Sequence, residues 1–258
     1  MGNPDLNNME KIFLSVVVPA YNEESNLKRG VLSSVYEYLC KQKYSWEVLV
    51  VDDGSTDKTV EVVEKFIKNH DGFKLFKEPH RGKGGTVIAG MLKAKGENIL
   101  FSDMDQSTPI DQIEKFLPKL EKGYDVVIGS RAGREGQSII RKVMAYGWVI
   151  LRTIVLRLPF KDTQCGFKLF KKTAASKIFK KMMVFSEKMR TEGASVTAGF
   201  DLETLYIARK LGMKIAEVPV EWYEYGERRE VSPIKDSWEG LRDLMRVRYN
   251  ALLGKYKA

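Results

Sequence analysis

The stretch ENILFSDMD, residues 97–105, is the starting point for predicting the fold. Residues 98–102 have the apolar composition of a buried strand. Asp103 and Asp105 follow its carboxyl end, and strand side chains alternate with a period of two, so the two carboxylates point in roughly the same direction. Because neighbouring negative charges are costly to bury without a partner, the pair indicates either a divalent cation site or an exposed turn.

Strand-like and helix-like patterns alternate on both sides of this stretch. Strands are predicted at residues 13–19, 47–51, 73–77, 98–102 and 125–129. Helices are predicted at residues 24–41, 57–69, 85–95 and 109–120. Helices of this length between strands predict right-handed crossovers and a mostly parallel sheet with flanking helices. The sequence therefore predicts an α/β fold in which ligands bind outside the carboxyl ends of the strands.

The pattern changes after residue 130. Residues 138–158 predict a long apolar helix that carries Arg141 and Arg152 on nearly the same face. Such a helix fits either a membrane surface with anionic headgroups or a protein core with snorkelling arginines. A strand at residues 214–220 is predicted between two more helices, at 199–211 and 236–252. The second of these places Trp238, Leu241, Leu244 and Met245 on one side.

Length and charge limit the possible classes of protein. The 258 residues and ordinary composition predict one α/β domain, with residues 1–130 as one half and 131–258 as the other. The net charge of +9 favours an anionic partner such as a phosphate, a nucleotide or a membrane surface. The basic residues are dispersed and no nucleic-acid motif is present, which argues against nucleic acid.

The same sequence features predict the cellular location. Cys40 and Cys165 lack metal-ligand spacing, which favours a reducing compartment, although one distant disulfide stays possible. No apolar stretch reaches transmembrane length without charges, and no signal-peptide core is present. We therefore expect a cytoplasmic protein that is peripheral to a membrane.

Polar residues follow the other early strands as well. After the second strand, Asp52 and Asp53 can accept hydrogen bonds from a nucleobase or a ribose, as acids at strand ends do in nucleotide-binding folds. The alternative is that this segment only caps the next helix, which Asp57 would do well. Arg81 and Lys83 lie in a glycine-rich loop that opens a helix, an arrangement that suits phosphate binding.

Taken together, the segments VVVPAYNEE (16–24), VVDDGSTD (50–57), RGKG (81–84) and DMD (103–105) resemble glycosyltransferase family 2. Members of that family are inverting enzymes with the GT-A fold. The resemblance implies that Asp52 and Asp53 bind the nucleobase. It also implies that Asp103 and Asp105 hold Mg²⁺ or Mn²⁺ on the diphosphate of a nucleotide sugar.

The resemblance implies further roles in the nucleotide pocket and at the leaving group. Pro19, Tyr21 and Glu23 would line the nucleotide pocket. Lys83, and Arg81 as a weaker candidate, would stabilise the charge that builds on the departing diphosphate.

Four later segments narrow the resemblance to the dolichyl-phosphate and polyprenyl-phosphate glycosyltransferases. They are GSR (129–131), DTQCGFKLF (162–170), GFDLE (199–203) and EVPVEW (217–222). DTQCGFK is closer to the glucosyltransferases of this group, which implies transfer of glucose from UDP-glucose to dolichyl or polyprenyl phosphate. The alternatives are GDP-mannose as donor, or a glycan hydroxyl as acceptor.

Two departures from the group's pattern stand out. The mannosyltransferases carry Gln where this chain has Ser107, which makes a third protein ligand to the metal doubtful. The eukaryotic glucosyltransferases carry an N-terminal membrane helix that is not found here, so we expect membrane contact through interfacial helices.

A lipid phosphate as acceptor changes which residues the chemistry needs. Its second pKa is about 6, so the attacking oxygen is already largely anionic at neutral pH and requires positioning by cations. Arg131, Arg141 and Lys168 are the candidates. With Asp105 and Asp201, Arg131 and Lys168 complete the predicted catalytic set. A hydroxyl acceptor would instead need a general base, Asp201 or Glu203, although Asp201 also fits a purely structural acid at a helix N-terminus.

Overall fold

The structure is a computed structural model that describes residues 11–131, 139–186, 198–225 and 233–256. Within these ranges the side chains of 139–145, 183–186, 198 and 233–237 are left undescribed.

The described chain forms a seven-stranded mixed sheet flanked by helices. The strands are β1 Leu14–Ala20, β2 Trp46–Asp52, β3 Phe73–Lys77, β4 Asn98–Ser102, β5 Val126–Arg131, β6 Phe167–Lys171 and β7 Ile215–Val220. Their order across the sheet is β3-β2-β1-β4-β6-β5-β7. Only β6 runs antiparallel to its neighbours, β4 and β5. The predicted mostly parallel α/β fold is therefore confirmed.

The helices of the described residues cover both faces of the sheet. They are α1 Glu24–Lys28, α2 Val31–Leu39, α3 Thr59–Ile67, α4 Gly82–Lys93, α5 Leu117–Glu121, α6 Ile139–Leu156, α7 Lys172–Ser186, α8 Ala198–Lys210 and α9 Pro233–Leu252. A 3₁₀ helix, Ile110–Lys115, precedes α5.

Two hydrophobic cores lie on opposite faces of the sheet. Every residue of β1 and β2 is buried, and alternate side chains of these strands enter different cores. Val16 and Val18 of β1 belong to the core that includes Val35 of α2. Val17 belongs to the other core, with Val87 of α4. Because both faces of these strands are packed against a core, the ends of the strands are held in place. The loops that follow the strands are therefore held in place as well.

The structure corrects the predicted helix at 24–41. Gly30 has φ of +80°, a left-handed conformation that interrupts the helix between α1 and α2. The predicted helix at 109–120 is likewise divided, into the 3₁₀ helix and α5, which begins with Pro118 in its first turn.

β6 and α7 are elements that the sequence patterns did not predict. β6 inserts between β4 and β5, and its residue Lys168 pairs with Phe101 of β4. The insertion brings the segment DTQCGFK to the end of β4, where the two acids of the DMD motif begin.

The apolar helix at 138–158 is present as α6, but Arg152 does not face its surface. Arg152 is 2% exposed and donates to the carbonyl oxygens of Leu158 and Phe160 and to the hydroxyl of Thr163. It therefore holds the segment that follows the helix. Tyr146, Ile150 and Ile154 of the same helix are exposed, so α6 also presents an apolar outer face.

The residues that the sequence places on one side of α9 differ in their exposure. Leu244 and Val247 are buried, whereas Trp238, Met245 and Tyr249 are exposed. Leu244 and Met245 are adjacent in sequence and point about 100° apart on a helix, which is why they separate. Of the helices in the described ranges, none combines the length and the apolar character that crossing a bilayer demands.

Candidate active site

An open cleft lies at the carboxyl ends of β1, β2 and β4. It is lined by Pro19, Ala20, Tyr21, Glu23, Asp53, Lys83, Thr86, Asp103, Met104 and Asp105. The sheet thus brings together residues from four sequence-distant motifs.

Asp103 and Asp105 both face this cleft, as their spacing predicts. The backbone N–H of Asp103 donates to the carbonyl oxygen of Gly166, at 3.0 Å. A Cβ atom built on Gly166 would lie 1.8 Å from Asp103 Oδ2, so any larger residue there would displace the carboxylate. The glycine of DTQCGFK is therefore what makes room for the first acid of the DMD motif.

The second acid is held by its own turn and by a neighbouring helix. Asp105 Oδ1 accepts a hydrogen bond from the backbone N–H of Ser107, at 2.9 Å. The carbonyl oxygen of Asp105 accepts one from the guanidinium of Arg29, also at 2.9 Å. Gln106, between Asp105 and Ser107, has φ of +50°, which is an uncommon conformation for a residue with a side chain.

Lys83 enters the cleft from the first turn of α4. Its Nζ lies 2.7 Å from Asp103 Oδ1, an ion pair without hydrogen-bond geometry. Burial lowers the pKa of Lys83, but the attraction of Asp103 and of more distant acids prevails and the pKa is raised. Lys83 is therefore a permanent cation beside the paired acids.

Glu23 faces the same acids from the loop after β1. Burial raises the pKa of Glu23, and the negative charges of Asp105 and Asp103 raise it further, against the hydrogen bond that Asn26 donates to it. Glu23 therefore accepts a proton more readily than an exposed glutamate does.

The two acids after β2 have different surroundings. Asp52 accepts hydrogen bonds from the backbone N–H groups of Gly54 and Ser55, and so shapes its own loop. Asp53 lines the cleft, where its Oδ1 accepts from the backbone N–H of Arg81 and its Oδ2 lies 2.9 Å from the ring of His80. Nucleobase binding by Asp52 and Asp53 stays a prediction, and the geometry favours Asp53.

Lys168 and Asp201 form a buried ion pair beside the cleft. Lys168, 1% exposed, donates to Asp201 Oδ1 at 2.6 Å and to the carbonyl oxygen of Cys165 at 2.5 Å. Burial raises the pKa of Asp201, against the attraction of Lys168 and Lys83. A direct contact between Lys168 and the acceptor stays a prediction, while its observed contact is with Asp201.

Arg131 ends β5 in a second ion pair. Its guanidinium donates to both carboxylate oxygens of Asp162, at 2.6 and 3.0 Å, and lies 5.9 Å from the ring centroid of Trp222. Burial raises the pKa of Asp162, but hydrogen bonding and attraction by Arg131 prevail and lower it to about 2. Asp162 therefore stays charged and fixes the direction of Arg131.

Two other predicted residues lie apart from these groups. Arg141 belongs to α6, and its side chain is outside the described residues. Glu203 is buried against Tyr256, whose hydroxyl donates to it at 2.6 Å, and is not among the residues that line the cleft. This position does not support Glu203 as a general base.

Several residues of the site were missed by sequence reasoning. His80 stacks on Tyr21 with ring centroids 4.4 Å apart, and Arg29 donates a hydrogen bond to the carbonyl oxygen of Asp105. Asp162 and Gly166 lie within the segment DTQCGFKLF, which carries part of the family resemblance, but no role was predicted for either residue. A glycine within this segment was the available signal for Gly166, whereas nothing in the local sequence points to Arg29.

Comparison with known proteins agrees with this geometry. The family model described as glycosyl transferase family 2 matches residues 15–179, which include β1 to β6 and the DMD motif. The chain belongs to this family. It is therefore a glycosyltransferase, and the resemblance seen in its motifs is confirmed.

Three relatives of this glycosyltransferase carry the same name. Proteins named dolichyl-phosphate beta-glucosyltransferase from Dictyostelium discoideum, Saccharomyces cerevisiae and Homo sapiens are 34%, 36% and 35% identical to it. The alignments cover 97%, 96% and 95% of this chain and 78%, 78% and 77% of those proteins. The similarity therefore includes α8 and α9, which lie beyond the family match.

Solved structures establish the GT-A type of fold. Mannosyl-3-phosphoglycerate synthase from Rubrobacter xylanophilus aligns with a TM-score of 0.63 at 16% identity, covering 96% of this chain and 76% of its own. A mannosyltransferase from Pyrobaculum calidifontis, in complex with GDP-Man and Mn²⁺, aligns with a TM-score of 0.56 at 20% identity, covering 94% and 62%. At these identities the likeness concerns the fold of the glycosyltransferase alone.

Proposed function

We propose that this glycosyltransferase moves glucose from UDP-glucose to dolichyl or a related polyprenyl phosphate, with inversion at the anomeric carbon. The observation that carries the proposal is the shared name of the relatives, at 34–36% identity over 95–97% of the chain. The cleft agrees with it, because several acids and the cationic side chain of Lys83 converge at the strand ends.

The residues present fit a divalent cation. Two carboxylates of one turn, Asp103 and Asp105, face the same cleft, and oxygen ligands are what Mg²⁺ and Mn²⁺ take. When bound, the cation would neutralise negative charge on the leaving diphosphate. Among the residues that the structure describes, no set of three or more His, Cys, Asp or Glu side chains is arranged for a metal.

The donor is held by the first half of the chain in this proposal. Asp53 accepts hydrogen bonds from the nucleobase, while Pro19, Tyr21 and Glu23 line its pocket. Lys83 supplies positive charge at the diphosphate, where charge builds as the bond to the anomeric carbon breaks. A fixed cation there favours the transition state because the ground state carries less charge on that oxygen.

The acceptor phosphate is positioned by Arg131 in this proposal. The fork of Arg131 is already oriented by Asp162, so that little freedom is lost when its remaining N–H groups meet a phosphate. Because the phosphate oxygen is anionic near neutral pH, no base needs to remove a proton before attack. Asp201, held by Lys168, orients the sugar or the groups around it.

Membrane contact is assigned to the outer faces of α6 and α9. Exposed side chains on these helices are Tyr146, Ile150 and Ile154, and Trp238, Met245, Tyr249 and Leu252. Aromatic and branched side chains beside the exposed Arg242 and Arg248 suit the boundary between acyl chains and anionic headgroups. We propose that the protein binds a membrane surface through these faces, and that this surface is the cytoplasmic one.

A vesicle assay tests this membrane face. Replacing both Trp238 and Tyr249 by Ala should weaken binding to vesicles with anionic lipid by about thirtyfold or more, since each aromatic side chain that enters the membrane contributes of the order of 1 kcal/mol or more. Tyr223→Ala, which changes an exposed tyrosine outside these helices, serves as the matched control. Equal binding by the double variant and the wild type would remove the assignment.

Transfer of labelled sugar tests the proposed reaction itself. Purified protein receives dolichyl phosphate with labelled UDP-glucose, GDP-mannose or UDP-N-acetylglucosamine, with Mg²⁺ or Mn²⁺, and the label in extracted lipid is counted. Label from UDP-glucose alone supports the proposal. Label that enters lipid from GDP-mannose or UDP-N-acetylglucosamine, or no label in lipid from UDP-glucose, would refute it.

A further inference from the structure

The first turn of α8 contacts three different elements of the protein through three consecutive residues. The backbone N–H of Gly199 donates to Asp243 Oδ2 of α9, at 3.1 Å. Phe200 packs against Gly84 of α4, where a Cβ would lie 3.2 Å from its ring. Asp201 accepts the hydrogen bond from Lys168 of β6, at 2.6 Å. This turn therefore connects α9 to Lys168 through Asp201, and to the residue that follows Lys83 through Phe200.

Asp243 is placed to hold this turn. It is 3% exposed, in the middle of α9, and its carboxylate lies at the N-terminal end of α8. An acid at that end accepts from a backbone N–H that has no partner within the helix, and it is attracted by the positive end of the helix dipole. Arg242 contributes only a distant contact, 4.0 Å from Asp243 Oδ1.

A second link joins the same two parts of the chain at a different place. Tyr256, just after α9, donates its hydroxyl to Glu203 of α8, at 2.6 Å. The ring of Tyr256 also lies 5.6 Å from that of Tyr206. This link fixes the body of α8 but makes no contact with Asp201 or Phe200 among the described interactions, so it provides a natural control.

We propose that Asp243 is a positioning residue for sugar transfer. By accepting from Gly199 it fixes the first turn of α8, which sets Asp201 on Lys168 and Phe200 beside the turn that carries Lys83. The inference rests on the proposed function, because it takes Asp201 and Lys83 to act on the bound donor. Asp243 itself touches neither the donor nor the acceptor and acts through α8.

The expected consequence is a loss of rate without a loss of donor binding. The cleft that is proposed to hold the nucleotide is lined by residues at the ends of β1, β2 and β4 and by Lys83 and Thr86 of α4, and none of its lining residues belongs to α8. A shift of about 1 Å in a group that orients the substrate can lower a rate by as much as about a hundredfold. Asp243→Ala should therefore lower kcat about tenfold or more and leave the donor KM within about twofold.

The experiment compares three variants by transfer kinetics, UDP binding and thermal unfolding. Asp243→Asn keeps an oxygen that can accept from Gly199, so it should restore kcat to within about threefold of the wild type. Tyr256→Phe breaks the other link and should lower the unfolding temperature while leaving kcat within about twofold. Equal losses of kcat in Tyr256→Phe and Asp243→Ala would show general loosening and overturn the proposal.

A double-mutant cycle with Asp201→Asn completes the test. If Asp243 acts through Asp201, adding Asp243→Ala to Asp201→Asn should lower kcat by no more than about twofold further. Full additivity of the two losses would overturn the proposal. Wild-type transfer by Asp201→Asn alone would instead show that the role proposed for Asp201 is wrong, and the positioning proposal would fall with it.

Discussion

The two halves of the proposed site, a donor half and an acceptor half, hold their charged groups in different ways. In the donor half, acids are held by backbone N–H groups of nearby loops, as Asp53 is by Arg81 and Asp105 by Ser107. In the acceptor half, cations are held by carboxylates from distant segments, Arg131 by Asp162 and Lys168 by Asp201. The difference teaches that an acid held only by the backbone, as the Asp105 carboxylate is among the described contacts, can be changed without leaving a buried charge behind. A cation of the acceptor half cannot.

Asp105→Asn is expected to have the largest effect on transfer. It removes half of the charge of the proposed cation site but keeps a side chain that can accept from the backbone of Ser107. Transfer should fall by about a thousandfold or more, because stabilising the leaving diphosphate is worth several kcal/mol. Initial rates at saturating Mg²⁺ or Mn²⁺ measure this effect.

The matched control for Asp105 is Asp111→Asn. Asp111 is an exposed acid in the 3₁₀ helix that follows the same loop and does not line the cleft. Its variant should keep the wild-type rate, and both variants should unfold at nearly the wild-type temperature. Comparable rates in Asp105→Asn and Asp111→Asn would remove Asp105 from the mechanism.

Lys168→Met should have the largest effect on stability. It leaves Asp201 partly buried without its partner, and breaking a buried pair on one side costs about 3 to 4 kcal/mol of unfolding free energy. Lys168→Met combined with Asp201→Asn should regain most of that loss, because no uncompensated charge remains. Denaturant unfolding of the single and double variants provides the measurement, and a double variant no more stable than Lys168→Met would contradict the comparison of the two halves.

Glu203 should make stability depend on pH. Burial raises its pKa from 4.5 to about 7, so between these values the folded protein holds a proton that the unfolded chain releases. Stability from this group is therefore present below about pH 4.5 and falls as pH rises to about 7, by about 3 kcal/mol in all.

Glu203→Gln tests the sign of this dependence. Glutamine can still accept from Tyr256 but does not titrate, so the variant should gain stability relative to the wild type as pH rises from 5 to 8. Arg246 and Lys255, whose charges reach Glu203, are unchanged in the comparison. Parallel stability curves for the two proteins would show that Glu203 does not titrate in this range.

Arg131→Ala should separate acceptor use from donor binding. Loss of the guanidinium should lower kcat/KM for the lipid phosphate by about a hundredfold, since charge-assisted hydrogen bonds to phosphate are among the stronger polar contacts. The affinity for UDP should change by less than about twofold, because Arg131 is not part of the cleft lining. Lys161→Ala, an exposed lysine next to Asp162, is the control, and equal losses for donor and acceptor would contradict the role of Arg131.

The donor half was largely predictable because its signals are local. The strands at 73–77 and 98–102 have the predicted bounds, and the loops after the strands carry the polar residues that line the cleft. Buried strands bounded by turn residues can be recognised from a short window, and parallel order then brings their carboxyl ends together. The break at Gly30 was not predicted, because the helical spacing of apolar residues continues across this position.

The acceptor half was harder to predict because its structure depends on distant partners. β6 has the sequence FKLFK, and its first lysine, Lys168, suggests an exposed face. Lys168 is nevertheless buried, because its ammonium group pairs with Asp201. Arg152 was considered for a membrane surface, but it satisfies the backbone carbonyls after α6. Neither partner can be identified from the residues around these cations.

Anomalous diffraction from crystals grown with UDP and Mn²⁺ tests the central claim most directly. The account predicts a manganese peak about 2.2 Å from carboxylate oxygens of Asp103 and Asp105, with the diphosphate on its other side and uracil near Asp53. A manganese peak and a UDP molecule bound away from these three acids would contradict the account.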